Sequence, residues 1–203
     1  MASRREMPAS LETGESIKNC RRCELWEHAT QAVAGEGAPH AALMLVGEQP
    51  GDSEDREGRP FVGPAGQLLN LMLERAAIPR ATVFVTNAVK HFSWELRGKR
   101  RLHKRPQLRH IEACYVWLAA EIATHKPRVI VALGATALRA LSGAASSIAG
   151  LRGKPIKHSS GALIVATYHP SAILRADEAG ALELQSALLE DLKLARRLAG
   201  FDD

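Results

Sequence analysis

Three polar residues stand just past short apolar runs and are placed to act on one ligand. Glu48 follows Ala42–Val46, Asn87 follows Val83-Phe84-Val85 with one threonine between, and His169 follows the run Leu163–Ala166. A carboxylate accepts or orients a proton, a carboxamide offers one donor and one acceptor side by side, and an imidazole can donate to a developing anion. Glu48 opens a stretch, Gly47–Gly66, with five glycines and three prolines in twenty residues. Such density fixes unusual backbone angles and lets a ligand approach closely. Glu48, Asp52, Glu54 and Asp55 crowd into it. Each feature also has a plain reading: a solvated loop, a turn asparagine, a turn His-Pro. A second candidate is His103, flanked by Lys99, Arg100, Arg101, Lys104 and Arg105. Basic runs are usually solvated faces, with the histidine a bystander. A third is Cys20-x-x-Cys23, two thiols from one turn, with Cys114 further on. These suit a metal centre, zinc or iron–sulfur, or are free buried thiols.

The elements that must position these residues follow from periodicity. Strands are predicted near 42–46, 83–85, 129–133 and 163–166, all short and apolar. Helices are predicted near 65–77, 107–124, 135–142 and 181–199 from apolar residues at helical spacing, such as Ile111, Tyr115, Leu118 and Ile122. Residues 88–106 read as a polar, basic connection. Strands alternating with helices imply a mainly parallel sheet covered on both faces. The carboxyl ends of such strands share one rim, so Glu48, Asn87 and His169 should converge in a crevice.

Length and charge bound the class. The chain has 203 residues, 46% hydrophobic and 24% charged, with net charge +5. This fits one domain over residues 13–203 behind a disordered lead-in at 1–12. The basic balance leans toward a polyanionic partner. No eighteen-residue apolar run and no apolar leader occur, so neither a membrane span nor export is expected. An odd cysteine count argues against a disulfide framework. A cytoplasmic, nucleoid-associated monomer is the expectation.

Four motifs in order carry a resemblance. Gly47-Glu-Gln-Pro-Gly51, Pro60-Phe-Val-Gly-Pro-Ala-Gly66, Thr86-Asn-Ala-Val-Lys-His91 and His169-Pro-Ser171 resemble those of the family-4 uracil-DNA glycosylases. Gly98-Lys-Arg-Arg-Leu-His103 resembles the loop that marks their UdgX branch, whose members become covalently attached to the DNA from which they remove uracil. Gln49 and His91 stand where family-4 enzymes commonly have Ala and Cys, in keeping with that branch. Leu102 replaces its more frequent Ile.

The resemblance implies a three-layer α/β/α fold around a central, mainly parallel four-stranded sheet, and uracil-containing DNA, single-stranded by preference, as partner. It assigns Phe61 to stacking on the flipped base and His169 to donation toward uracil O2. Asn87 would match the O4 acceptor and N3–H donor of uracil, a pattern that cytosine reverses. Gly47, Gln49, Ser171 and Arg175 complete the substrate contacts. The loop from Gly47 to Asp52 is the candidate wall against thymine. Glu48, Asp52 and Asp55 are available to stabilise the sugar cation. His103 would attack that cation in place of water, oriented by Glu48. Lys99, Arg100, Arg101 and Lys104 would neutralise phosphates. A structural [4Fe–4S] cluster on Cys20, Cys23, Cys114 and His91 is favoured, with zinc as the competing occupant.

Overall fold

A computed structural model describes residues 16–145 and 147–201. The lead-in expected at 1–12 lies outside the described residues. Two short 3-10 turns, Ile17–Asn19 and Glu24–Glu27, flank the paired cysteines. The strands and helices then run β1 (Glu36–Gly37), β2 (Leu43–Gly47), α1 (Asp52–Glu57), α2 (Pro64–Arg75), β3 (Phe84–Asn87), β4 (Trp94–Arg97), β5 (Arg100–His103) and α3 (Leu108–His125). After them come β6 (Val129–Leu133), α4 (Ala135–Ser142), α5 (Ile148–Leu151), β7 (Ile156–Lys157), β8 (Leu163–Thr167), α6 (Pro170–Ile173) and α7 (Glu178–Ala199).

The main sheet has the order β1-β3-β2-β6-β8-β7. Its four inner strands are parallel, and β1 and β7 are antiparallel edges. The expected four-stranded sheet is therefore corrected to six. Each added edge is two residues long and has no apolar run to announce it. The inner strands are uncharged because both faces are covered. Leu43, Leu45, Val131 and Val165 pack toward α2 and α7, while Met44, Val46, Ile130 and Ile164 pack toward α3 and α4. Full burial of each such side chain contributes about 1.5–3 kcal/mol.

Two further elements replace expected irregular chain. The first turn of α1 gathers Asp52, Glu54 and Asp55, where carboxylates favour a helix N-terminus, and Gly58 closes it in the left-handed region at φ 73°. The basic connection contains the antiparallel hairpin β4–β5, paired from Trp94 with His103 to Arg97 with Arg100, around a turn led by Gly98 at φ 63°. Among the described residues, no helix is long and apolar enough to cross a membrane.

Candidate active site

The parallel register sets the rim. Gly47 of β2 lies beside Asn87 of β3, and Leu133 of β6 beside Thr167 of β8. Asn87 is buried at the β3 end. A methyl on Gly47 would sit 2.4 Å from Asn87 Oδ1 and 2.7 Å from Phe61 Cζ. Glycine is thus required for the amide and the ring to share this corner. Phe61 itself holds φ 57°, a left-handed conformation costly for a bulky residue, of order 1–3 kcal/mol. Gly66 of α2 presses on its backbone: a Cβ there would overlap Phe61 O at 1.8 Å. Phe61 and His169 lie nearly parallel, with centroids 6.3 Å apart and planes at 28°. A separate cleft of about 710 Å³, lined by Glu36, Arg59, Phe61 and Arg80, shares only Phe61 with this rim.

His169 caps α6. Its Nδ1 accepts the backbone N–H of Ser171 at 3.1 Å and lies 2.8 Å from Ser171 Oγ. The neutral ring then carries its proton on Nε2, free to donate outward. Burial pushes its pKa down to about 4, with Arg175 and His103 acting in the same direction and Glu48 opposing. The ring is a neutral donor at pH 7. Gly134, at φ 87°, clears space beside His169 Cβ.

Glu48 Oε1 lies 3.1 Å from His103 Nε2. Its other oxygen accepts a hydrogen bond from the hydroxyl of Thr136, and Arg105 Nε stands 4.0 Å from that oxygen. Burial pushes the Glu48 carboxyl up, but the bonds from His103 and Thr136 outweigh it, so the net shift is downward. A carboxylate facing an imidazole nitrogen fixes the ring's orientation and tautomer, leaving the nitrogen that does not face Glu48 with the lone pair. The His103 side chain is half exposed. Thr136 has no signal in sequence beyond its place in the first turn of a helix after Gly134.

The hairpin is anchored from below. Gln49 Nε2 donates to Ser93 O at 2.9 Å and to Lys104 O at 3.3 Å, and its Oε1 accepts Ser93 N–H at 3.2 Å. Expected against substrate, Gln49 instead spends its amide on the base of the hairpin. Arg101 bonds Asp52 Oδ1 through Nε at 2.6 Å and Asp55 Oδ2 through Nη1 at 2.6 Å. Asp55 also accepts from Thr30 N–H and Oγ1. These two carboxylates, expected to face the sugar cation, are neutralised by Arg101, which is correspondingly not free for phosphate. Lys99, Arg100 and Lys104 are exposed on the hairpin, as is Arg175 after α6. Glu54 holds the loop closed, accepting from Gly51 N–H at 3.0 Å and Gly63 N–H at 2.8 Å.

Beneath the hairpin, β3 continues as Ala88 N–H to Gly47 O and Val89 N–H to Glu48 O, which leads Lys90 and His91 inward. Lys90 is fully buried and ion-paired with Glu121 of α3 at 2.7 Å. Its backbone N–H donates to Cys114 Sγ at 3.4 Å, and Trp117 Nε1 donates to Cys20 Sγ at 3.2 Å. A hydrogen bond with Cys114 holds the Cys23 thiol down to about 6, and burial opposes it. His91 is buried, its Nδ1 has no hydrogen-bond partner among the described residues, and burial pushes its pKa down. Among the described residues, no group of three or more His, Cys, Asp or Glu is placed to hold a metal ion as it stands. The donor set itself, three unbridged thiols and an imidazole whose Nδ1 has no partner among the described residues, is the chemistry of thiolate-rich centres.

Comparison with known proteins identifies the family. The profile of the Uracil DNA glycosylase superfamily matches residues 34–193. A Type-4 uracil-DNA glycosylase of Thermotoga maritima is 39% identical over 183 residues, covering 90% of each chain. One of Sulfurisphaera tokodaii is 39% identical over 193 residues, covering 91% of this chain and 82% of its own. One of Pyrobaculum aerophilum is 42% identical over 168 residues, covering 79% and 82% respectively.

Proposed function

Because the chain belongs to the uracil-DNA glycosylase superfamily, we propose that it excises uracil from DNA, single-stranded by preference, and is then captured on the DNA through His103. The flipped base stacks on Phe61 and presents its O4 and N3–H to the Asn87 amide. Cytosine would leave that buried amide mispaired. As the C1′–N1 bond breaks, its electron pair leaves on uracil, and His169 Nε2–H donates to O2. A fixed donor aimed at developing charge contributes about 3–4 kcal/mol. The imidazole lone pair of His103 then forms the bond to C1′, and the ring's N–H stays against Glu48. Exposed Lys99, Arg100 and Lys104 steady the phosphates without reading sequence.

The observation that supports capture is the 3.1 Å contact between Glu48 and His103. It gives the histidine an orienter at the mouth of the pocket, as in a catalytic triad. A [4Fe–4S] cluster held by Cys20, Cys23, Cys114 and His91 fits the unbridged thiols and the unpartnered His91 nitrogen, with zinc as the lesser alternative. Once bound, it would tie the N-terminal segment to the 88–114 region, a structural role.

Intact mass after incubation with a single-stranded uracil oligonucleotide tests the reading. Protein shifted by the mass of the abasic oligonucleotide less one water is expected. Free abasic DNA with unmodified protein identifies an ordinary turnover glycosylase, and salt-sensitive binding with no uracil released identifies a mere binder. His103→Ser should lose the adduct and release abasic DNA; an adduct persisting in that variant refutes His103 as the nucleophile.

A further inference from the structure

We infer that Thr136 selects the nucleophile: by occupying Oε2 of Glu48, it makes that carboxylate an orienter of His103 and not an activator of water. The inference rests on the capture reading above. Thr136 is buried in the first turn of α4, and its hydroxyl donates to Glu48 Oε2. A carboxylate only accepts, so the direction of this bond is fixed. Oε1 is left for His103 at 3.1 Å. The other charged or titratable groups acting on Glu48 are Arg105, 4.0 Å from Oε2, and His169. Each oxygen therefore already carries one short-range partner before a water arrives. A hydrogen bond to the ionised form also makes Glu48 a weaker base.

The two outcomes differ in where one proton goes. In capture, the imidazole lone pair makes the bond to C1′ and the ring proton remains shared with Glu48 Oε1. In hydrolysis, water oxygen makes that bond and its proton must pass to Glu48. Thr136 disfavours the second route by holding one acceptor site of Oε2 and lowering the basicity of the carboxylate. It touches neither base nor sugar, so it is a positioning residue.

The test compares wild type, Thr136→Val and Thr136→Ser on a single-stranded uracil oligonucleotide. Adduct and abasic product are separated on a denaturing gel, and the Glu48 carboxyl is titrated by carbon-13 NMR. Thr136→Val should move the partition toward abasic DNA by about tenfold and raise the Glu48 midpoint by about one pH unit, the equivalent of that factor. Thr136→Ser keeps the hydroxyl and should restore both. Thr136→Ala repeats the prediction should valine fail to fold. Adduct in wild type with an unmoved partition in Thr136→Val, or serine behaving as valine does, overturns the selection alone. Wild type giving only abasic DNA overturns the capture reading and the selection with it.

Discussion

The guanidinium of Arg101, in the second strand of the hairpin, reaches 2.6 Å to the carboxylate of Asp55, which is wholly buried in α1. The same arginine lies 5.4 Å over the rings of Phe92 and Trp94. It ties the strand that carries His103 to the loop that carries Glu48.

Removing that tie should separate capture from excision. Arg101→Ala leaves Asp55 with Thr30 alone, and breaking a buried ion pair of this kind costs about 3 kcal/mol. Denaturant unfolding should show that loss. Adduct formation should fall by at least tenfold, on the order expected for a displaced catalytic group, while uracil release falls less. Equal loss of both activities would place the hairpin in excision itself.

Gly47→Ala should behave in the opposite way. The added methyl would meet Asn87 Oδ1 at 2.4 Å and Phe61 Cζ at 2.7 Å, so the pocket closes before the hairpin is concerned. Uracil release and adduct should drop together by about 10²-fold, the scale of an ångström misplacement. Single-turnover assays of both products check it.

His169 sets a pH dependence of stability. Its pKa is lowered from 6.5 to about 4 on folding, by burial foremost. Between those values the unfolded chain binds the extra proton. The residue's contribution is therefore complete above pH 6.5 and is lost as pH falls toward 4, at most about 3 kcal/mol. His91, His125 and His158 are shifted the same way. The difference between wild type and His169→Asn in melting temperature, at pH 7 and at pH 5, isolates this ring. Wild type should lose more on acidification.

Iron content tests the cluster. Protein purified without oxygen should be brown, with broad absorbance near about 400 nm. Cys114→Ser should lose the colour and melt at lower temperature. A colourless zinc protein would replace the cluster with the alternative occupant.

The four parallel strands were legible because each is a short uncharged run, the mark of a strand covered on both sides. The rim residues followed, since the register places Gly47 beside Asn87. The hairpin was hidden because Trp94–Arg97 and Arg100–His103 are half charged and mostly exposed, so no buried apolar face betrays them. Gly98 between basic residues was the one available turn signal. Helix α1 was hidden for the same reason, a polar surface all round that encloses Glu54 and Asp55 only through specific hydrogen bonds. Thr136 was invisible because its partner, Glu48, lies 88 positions away in the chain.

Arg101 also alters how the protein should respond to ionic strength. Of the cations at 99, 100, 101, 104 and 105, Arg101 is neutralised by two carboxylates, while Lys104 and Arg105 are exposed with single carboxylates 3.7 Å and 4.0 Å away, which leaves at most four to displace counterions. With a slope near 0.7 per phosphate on a single strand, this segment accounts for a logarithmic salt slope of at most about 3. Under the proposed function, the internal ion pairs of the hairpin hold it in place first, and only the remaining cations serve phosphate.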